Sequence, residues 1–189
     1  MSLPYPLSWE QFMEFVLPHL HLCEVMGTDA PPNILGAFKR DLYYAVTTLQ
    51  GGRSQESYLF DKYAALNWDV WRLAHTAEST SHAVALLHHC HEKGVLAVKS
   101  VCAYDACIVC KSRSQKTYLV KDLLDSYRGV SSSPAAPFPD CQQLHMDGGG
   151  LCRCVWKEIP NPPATEKERR VHDFVSRLMR KHGLESRRQ

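Results

Sequence analysis

Two thiols separated by two residues can grip one metal ion when the backbone turns between them, and Cys107-x-x-Cys110 has that spacing. The same spacing serves a redox pair, but a redox motif leaves the other ligand-type residues nearby unexplained. Those residues form a second set, Cys141-x3-His145-x6-Cys152-x-Cys154. Gly148, Gly149 and Gly150 stand between the histidine and the cysteine pair and let the chain fold back, as a tight metal knuckle requires. Four soft ligands in so short a span suit tetrahedral zinc; the alternative is a glycine loop with incidental cysteines. Closed zinc sites take four ligands, so two visible ligand sets set the expectation at about two zinc ions. All of the eight cysteines except Cys23 lie between residues 90 and 154. An even count also fits a disulfide framework, which needs a secretory context.

The order of the elements adds a third signal. His82 precedes an apolar helix, the helix precedes a valine-rich run, and that run leads to Cys107-x-x-Cys110. This order resembles the zinc nucleoside and nucleic-acid deaminases, whose signature is H-x-E, a helix and strand, then P-C-x-x-C. Within that superfamily the segment Asp140-x4-His145-x6-Cys152-x-Cys154, closed by Trp156, resembles the DYW-type deaminase domains of plant organellar RNA-editing factors. The likeness covers roughly residues 75–156 and leaves out the helical stretches on either side. It implies zinc on His82, Cys107 and Cys110, activating a water that attacks a cytosine (less readily an adenine) in RNA or single-stranded DNA. It also implies the class hydrolase. Four features depart from the family pattern. Val84 stands where the proton-shuttling glutamate belongs, Ala106 replaces the proline, Lys111 follows the second cysteine, and the closing D-Y-W is absent. Glu78, one helical turn before His82, is the remaining carboxylate candidate for acid/base work, with a surface role as its alternative.

These residues need elements to position them. Ser8 opens a capping box with Gln11, and Trp9, Phe12, Val16 and Leu20 recur at helical spacing until Pro18 interferes. Ile34, Leu35, Phe38, Leu42 and Val46 predict a second helix, and Tyr58, Leu59, Lys62, Leu66, Val70 and Leu73 a third. A helix over residues 80–93 would begin at Thr80 or Ser81 and stop at Gly94. Residues 95–102 read as a buried strand, 115–127 as an amphipathic helix, and 130–139 as a loop. His88, His89, Cys90 and His91 point in different directions on a helix and cannot all bind one ion, though one of them can complete a second site. Cys102, inside the strand, reads as a small apolar residue rather than a ligand. After Pro160, Pro162 and Pro163, Thr165 caps a last helix with Val171, Phe174, Val175 and Leu178 on one face.

The fold expected is α/β: a cytidine-deaminase-like small sheet flanked by helices, with a helical N-terminal addition over residues 1–74, a zinc-binding core over 75–156 and a basic C-terminal helix within 157–189. The stretch from Thr165 to Gln189 carries eight Lys/Arg against four Asp/Glu, which suits nucleic-acid phosphates or a solvated helix face. No signal-peptide pattern and no apolar run of membrane-spanning length is visible, so the expected setting is intracellular, cytoplasmic or nuclear, not secreted, with no membrane partner. Two readings of function stand. One is a deaminase acting on single-stranded RNA or DNA. The other is a catalytically inactive zinc-binding adaptor that uses its surface for a protein partner.

Overall fold

The computed structural model describes residues 7–20, 32–49, 52–63, 70–138, 141, 152–159 and, near the C-terminus, 170, 173–175 and 177. Helix α1 (Trp9–Gln11) is closed at its start by the Ser8–Gln11 capping box, with both reciprocal bonds formed. It runs on as a π-helical turn, Phe12–Val16, and a 3₁₀ turn, Pro18–Leu20. Pro18, which has no N–H to donate, opens the 3₁₀ turn where the spacing predicted a break. Helices α2 (Pro32–Thr48) and α3 (Gly52–Tyr63) follow.

Asp41 fastens these two helices together. Its carboxylate accepts from Tyr58 Oη at 2.9 Å, Lys62 Nζ at 3.1 Å and Tyr63 Oη at 2.6 Å. Partial burial opposes the charge, but the bonds from Tyr63, Tyr58 and Lys62 outweigh it and hold the carboxyl below its ordinary range. Burial, and then the bond to Asp41, push the Tyr63 phenol up, so it stays a donor. A depressed native pKa gives stability that is full above the ordinary carboxyl value of 3.8 and fades as pH falls through the lower native value. Asp41→Ala is therefore expected to cost about 1.5–3 kcal/mol near neutral pH, the range for hydrogen bonds to a charged group. Urea midpoints of wild type and variant should converge in acid; a gap unchanged at low pH would mean that the carboxylate charge is not what holds the helices.

Helix α4 (Val70–Glu92) lies at the centre, packed on α2, α3, the π-turn and elements that follow it in the chain. It begins ten residues before the expected start. Thr80 and Ser81 are buried in its middle rather than capping it. Val70, Leu73, Ala77, Val84, Leu87 and Cys90 are buried, and so are Ala74, Ala83 and Ala85, which widens the buried surface beyond one stripe. A helix covered on several sides has no clean amphipathic pattern, so its first turns escape a search for one face. Of the third expected helix, Tyr58, Leu59 and Lys62 belong to α3 and Val70 and Leu73 to α4, two helices that pack against each other, while Leu66 lies outside the described residues. The 74/75 division falls within α4, and one apolar core runs from Leu7 to Trp156.

Gly94 ends α4 at φ +69°. Strand β1 (Ala97–Val101) follows, as expected from its valines. A turn at residues 104–105 leads to α5 (Ile108–Arg113), then to β2 (Thr117–Leu119) and α6 (Val120–Tyr127). The expected helix 115–127 thus begins with a short strand: Thr117 and Tyr118, both good strand formers, pair with β1 before the helix starts at Val120. Strand β3 (Val155–Glu158) completes a three-stranded antiparallel sheet in the order β2-β1-β3. The fold is α/β with several helices around this small sheet. At the C-terminal end, Val175 is buried with Ala97, Leu119 and Ile159, whereas Phe174 of the same expected stripe is exposed; Val171 and Leu178 lie outside the described residues. Among the described residues, no helix is long and apolar enough to cross a membrane.

Candidate metal centre

The centre forms where three connections meet. Cys107 is the N-cap of α5, and its Sγ accepts from the Cys110 N–H at 3.5 Å. This is the turn that the two-residue spacing needs, and it aims both thiols to one side. Cys152 and Cys154 lead directly into β3. That strand pairs with β1 in the register Val101↔Val155, so Cys102 and Cys154 are the next residues facing one another. Cys141 is brought in by its N–H bond to the Phe138 carbonyl, 2.9 Å.

The sulfurs gather in two groups. Cys107, Cys110 and Cys141 have all their Sγ atoms within 4.8 Å of one another, and so do Cys110, Cys152 and Cys154. Cys110 belongs to both. Within them, Cys107 and Cys141 are 3.8 Å apart and Cys110 and Cys152 are 3.9 Å apart. A tetrahedral ion at a zinc–sulfur length of about 2.3 Å requires sulfurs about 3.8 Å apart, so both separations fit one edge of a tetrahedron. All but Cys107 are buried, and Cys107 is half-buried. All seven described cysteines are free thiols. These five cysteines could hold a metal ion.

Hydrogen bonding already favours ionisation at one corner. The adjoining Cys154 side chain and the backbone N–H groups of Cys154 and Phe138 bring Cys152 down to about 6 against the opposing effect of burial. The neighbouring Cys152 sulfur, then burial, push Cys154 up; burial, then the neighbouring thiols, push Cys110 up. A divalent ion would reverse the order and release the remaining protons.

Around the sulfurs, the core is aromatic. Phe138 and Trp156 meet edge to face at 6.0 Å, and Trp156 Nε1 donates to Tyr127 Oη at 3.2 Å. Tyr127 Oη in turn donates to the Ala136 carbonyl. Arg113 stacks over Phe138 at 4.6 Å. Outside, the Arg153–Asp105 ion pair ties the Cys152–Cys154 segment to the turn before α5. Both partners are largely exposed, so this pair adds position rather than much stability.

Other residues singled out in the sequence stand elsewhere. His82 lies half-buried on α4 and belongs to neither sulfur group. Burial pulls its imidazole below 6.5 against the charge of Glu78. Glu78 lies 3.9 Å from His75 Nδ1 and is likewise outside both groups. Val84 is fully buried in the core. His88 packs edge-on against Phe15 at 4.8 Å, and His88, His89 and His91 enter neither group. His145, Cys23, Asp140 and Gly148 to Gly150 lie outside the described residues. One participant escapes sequence reading. Cys102 accepts the Cys154 thiol at 3.1 Å and donates to the Cys110 carbonyl at 2.9 Å. Only the β1–β3 register reveals it, because its valine-rich surroundings otherwise read as plain strand.

The chain was compared with family models, characterised proteins and solved structures; no family model matches it, and neither of the other two comparisons gives a significant match.

Proposed function

We propose that this chain is a structural zinc module whose cysteine centre locks a small sheet onto a helical body, leaving its surface to engage a protein partner. The observation that carries this reading is the all-sulfur set itself: buried or half-buried thiols, two of whose separations match a tetrahedral edge. Structural zinc sites are closed by protein ligands, whereas catalytic ones keep a position open for water. The surroundings of Val84 point the same way, since a buried valine moves no proton.

Hydrolytic deamination of cytosine in RNA or single-stranded DNA, on a deaminase-like fold, is the second reading. It is supported by the order His82, helix, strand, Cys107-x-x-Cys110 and by the spacing from Asp140 to Cys154. One experiment separates them. Metal content of the purified full chain is measured beside cytosine-to-uracil conversion in RNA and single-stranded DNA. Zinc without conversion is expected. Conversion abolished by Glu78→Ala would replace the structural reading with the catalytic one. Iron in place of zinc, or disulfides and no metal, would reject the zinc centre.

A further inference from the structure

The two sulfur groups overlap, and the overlap limits how metal can be arranged. Cys110 is a member of both. Outside them, Cys102 stands 3.1 Å from Cys154. The described centre therefore contains six cysteines in three close pairs: Cys107 with Cys141, Cys110 with Cys152, and Cys102 with Cys154.

Resting on the zinc reading above, we infer that these six cysteines bind two metal ions as one cluster, with Cys110 and Cys152 bridging both. The argument is one of coordination number. Two closed tetrahedra need about eight sulfur contacts. Six cysteines supply eight only if two of them serve both ions. Cys110 is the first bridge because it already lies in both groups. Cys152 is the second because it is 3.9 Å from Cys110, the length of a tetrahedral edge, and two tetrahedra can share such an edge. Cys107 and Cys141 then close one ion, and Cys102 and Cys154 the other. The register places this last pair together, since Cys102 and Cys154 continue the β1–β3 ladder by one step. Their thiols are closer than a tetrahedral edge because Cys154 donates its proton to Cys102. When both protons leave to solvent and an ion enters, the two sulfurs separate. Six thiolates against two divalent ions leave a net charge of two minus. The backbone N–H groups of Cys110 and Phe138 already point at Cys107 and Cys152 to share that charge. This grouping divides the ligands differently from the sequence pattern: the Cys107-x-x-Cys110 and Cys152-x-Cys154 motifs each contribute to both ions.

The test uses the full chain loaded with cadmium-113 in place of zinc, a spin-active ion with the same taste for thiolates. Native mass spectrometry should find about two ions per chain. NMR should show two cadmium resonances split by mutual coupling, which requires a shared sulfur. Cys102→Ser should reduce the count from two ions to one after dialysis against a competing chelator, while Cys23→Ser should not change it. The coupling is read on the wild-type protein, so the test survives a bridging variant that fails to fold. Two uncoupled resonances, a single ion, or a Cys102→Ser protein that keeps both would overturn the cluster. A single ion whose removal still unfolds the sheet would leave the structural zinc reading intact. Absence of any ion would overturn both.

Discussion

Chelating the metal under reducing conditions is expected to unfold the β1–β2–β3 sheet and the turn carrying Cys107, with loss of amide protection from Ala97 to Val101 and from Val155 to Glu158. The sheet cannot hold itself. Its strands have five, three and four residues. Sheets this small need an apolar face and a partner to be stable alone. The partner here is a core in which Cys110, Cys141, Cys152 and Cys154 occupy positions that would otherwise hold larger apolar side chains. Without a cation, burial and neighbouring thiols disfavour the charged form of Cys110. Structural zinc contributes about 10–16 kcal/mol to folding in small zinc-dependent domains. Whole domains are stable by only about 5–15 kcal/mol. Removing the ion therefore takes away an amount comparable to the entire net stability. Hydrogen exchange of loaded and stripped protein measures this directly. Identical protection in the two forms would show that the sulfurs are packing groups and nothing more.

Val84→Glu is expected to destabilise the fold strongly. In a deaminase-like alignment this substitution would restore the missing carboxylate, so the contrast is informative. Val84 is 0% exposed, between Ala83 and Ala85, which are also buried. An ionised carboxylate left unpaired in such a place costs about 3–5 kcal/mol, judged from proteins in which one partner of a buried pair is removed. The side chain would respond by taking up a proton, so its native pKa would rise above the unfolded value of about 4.3. The unfolded chain would then hold fewer protons than the native one between those two values. Stability of the variant should fall as pH rises from about 4.3 to its native pKa, and then level off. Denaturant midpoints across that range give the answer. A variant as stable as wild type at neutral pH, and active on cytosine, would place residue 84 beside a solvated site instead of in the core.

Much of the centre is legible in the sequence, and the reasons for the remainder are physical. Cys107-x-x-Cys110 and Cys152-x-Cys154 declare themselves because ligand spacing is local. So do the Ser8 cap and the stop at Gly94, whose signals span a turn or less. Cys102 does not, because its role depends on the pairing of β1 with a strand far along the chain. Strand β2 hides inside an apparently helical run, since Thr117–Leu119 is too short to outweigh the periodicity of α6 that follows. The first turns of α4 hide because their surface is covered on several sides. His82 is drawn in by order along the chain, and it is a member of neither sulfur group.

The sheet order has a consequence for how this protein is made. β1 is the central strand, and its two neighbours emerge from the ribosome at very different times. β2 arrives soon after β1, joined to it through the short helix α5. β3 comes last, and until Glu158 has been synthesised one whole edge of β1 offers its backbone groups to any passing strand. Over that same interval Cys107 and Cys110 are present while Cys152 and Cys154 are not. The nascent chain thus carries an incomplete chelate and an unpaired edge together, and a single late segment completes both. Stalled or prematurely released chains should consequently be the ones that aggregate, and supplying metal to them should not help.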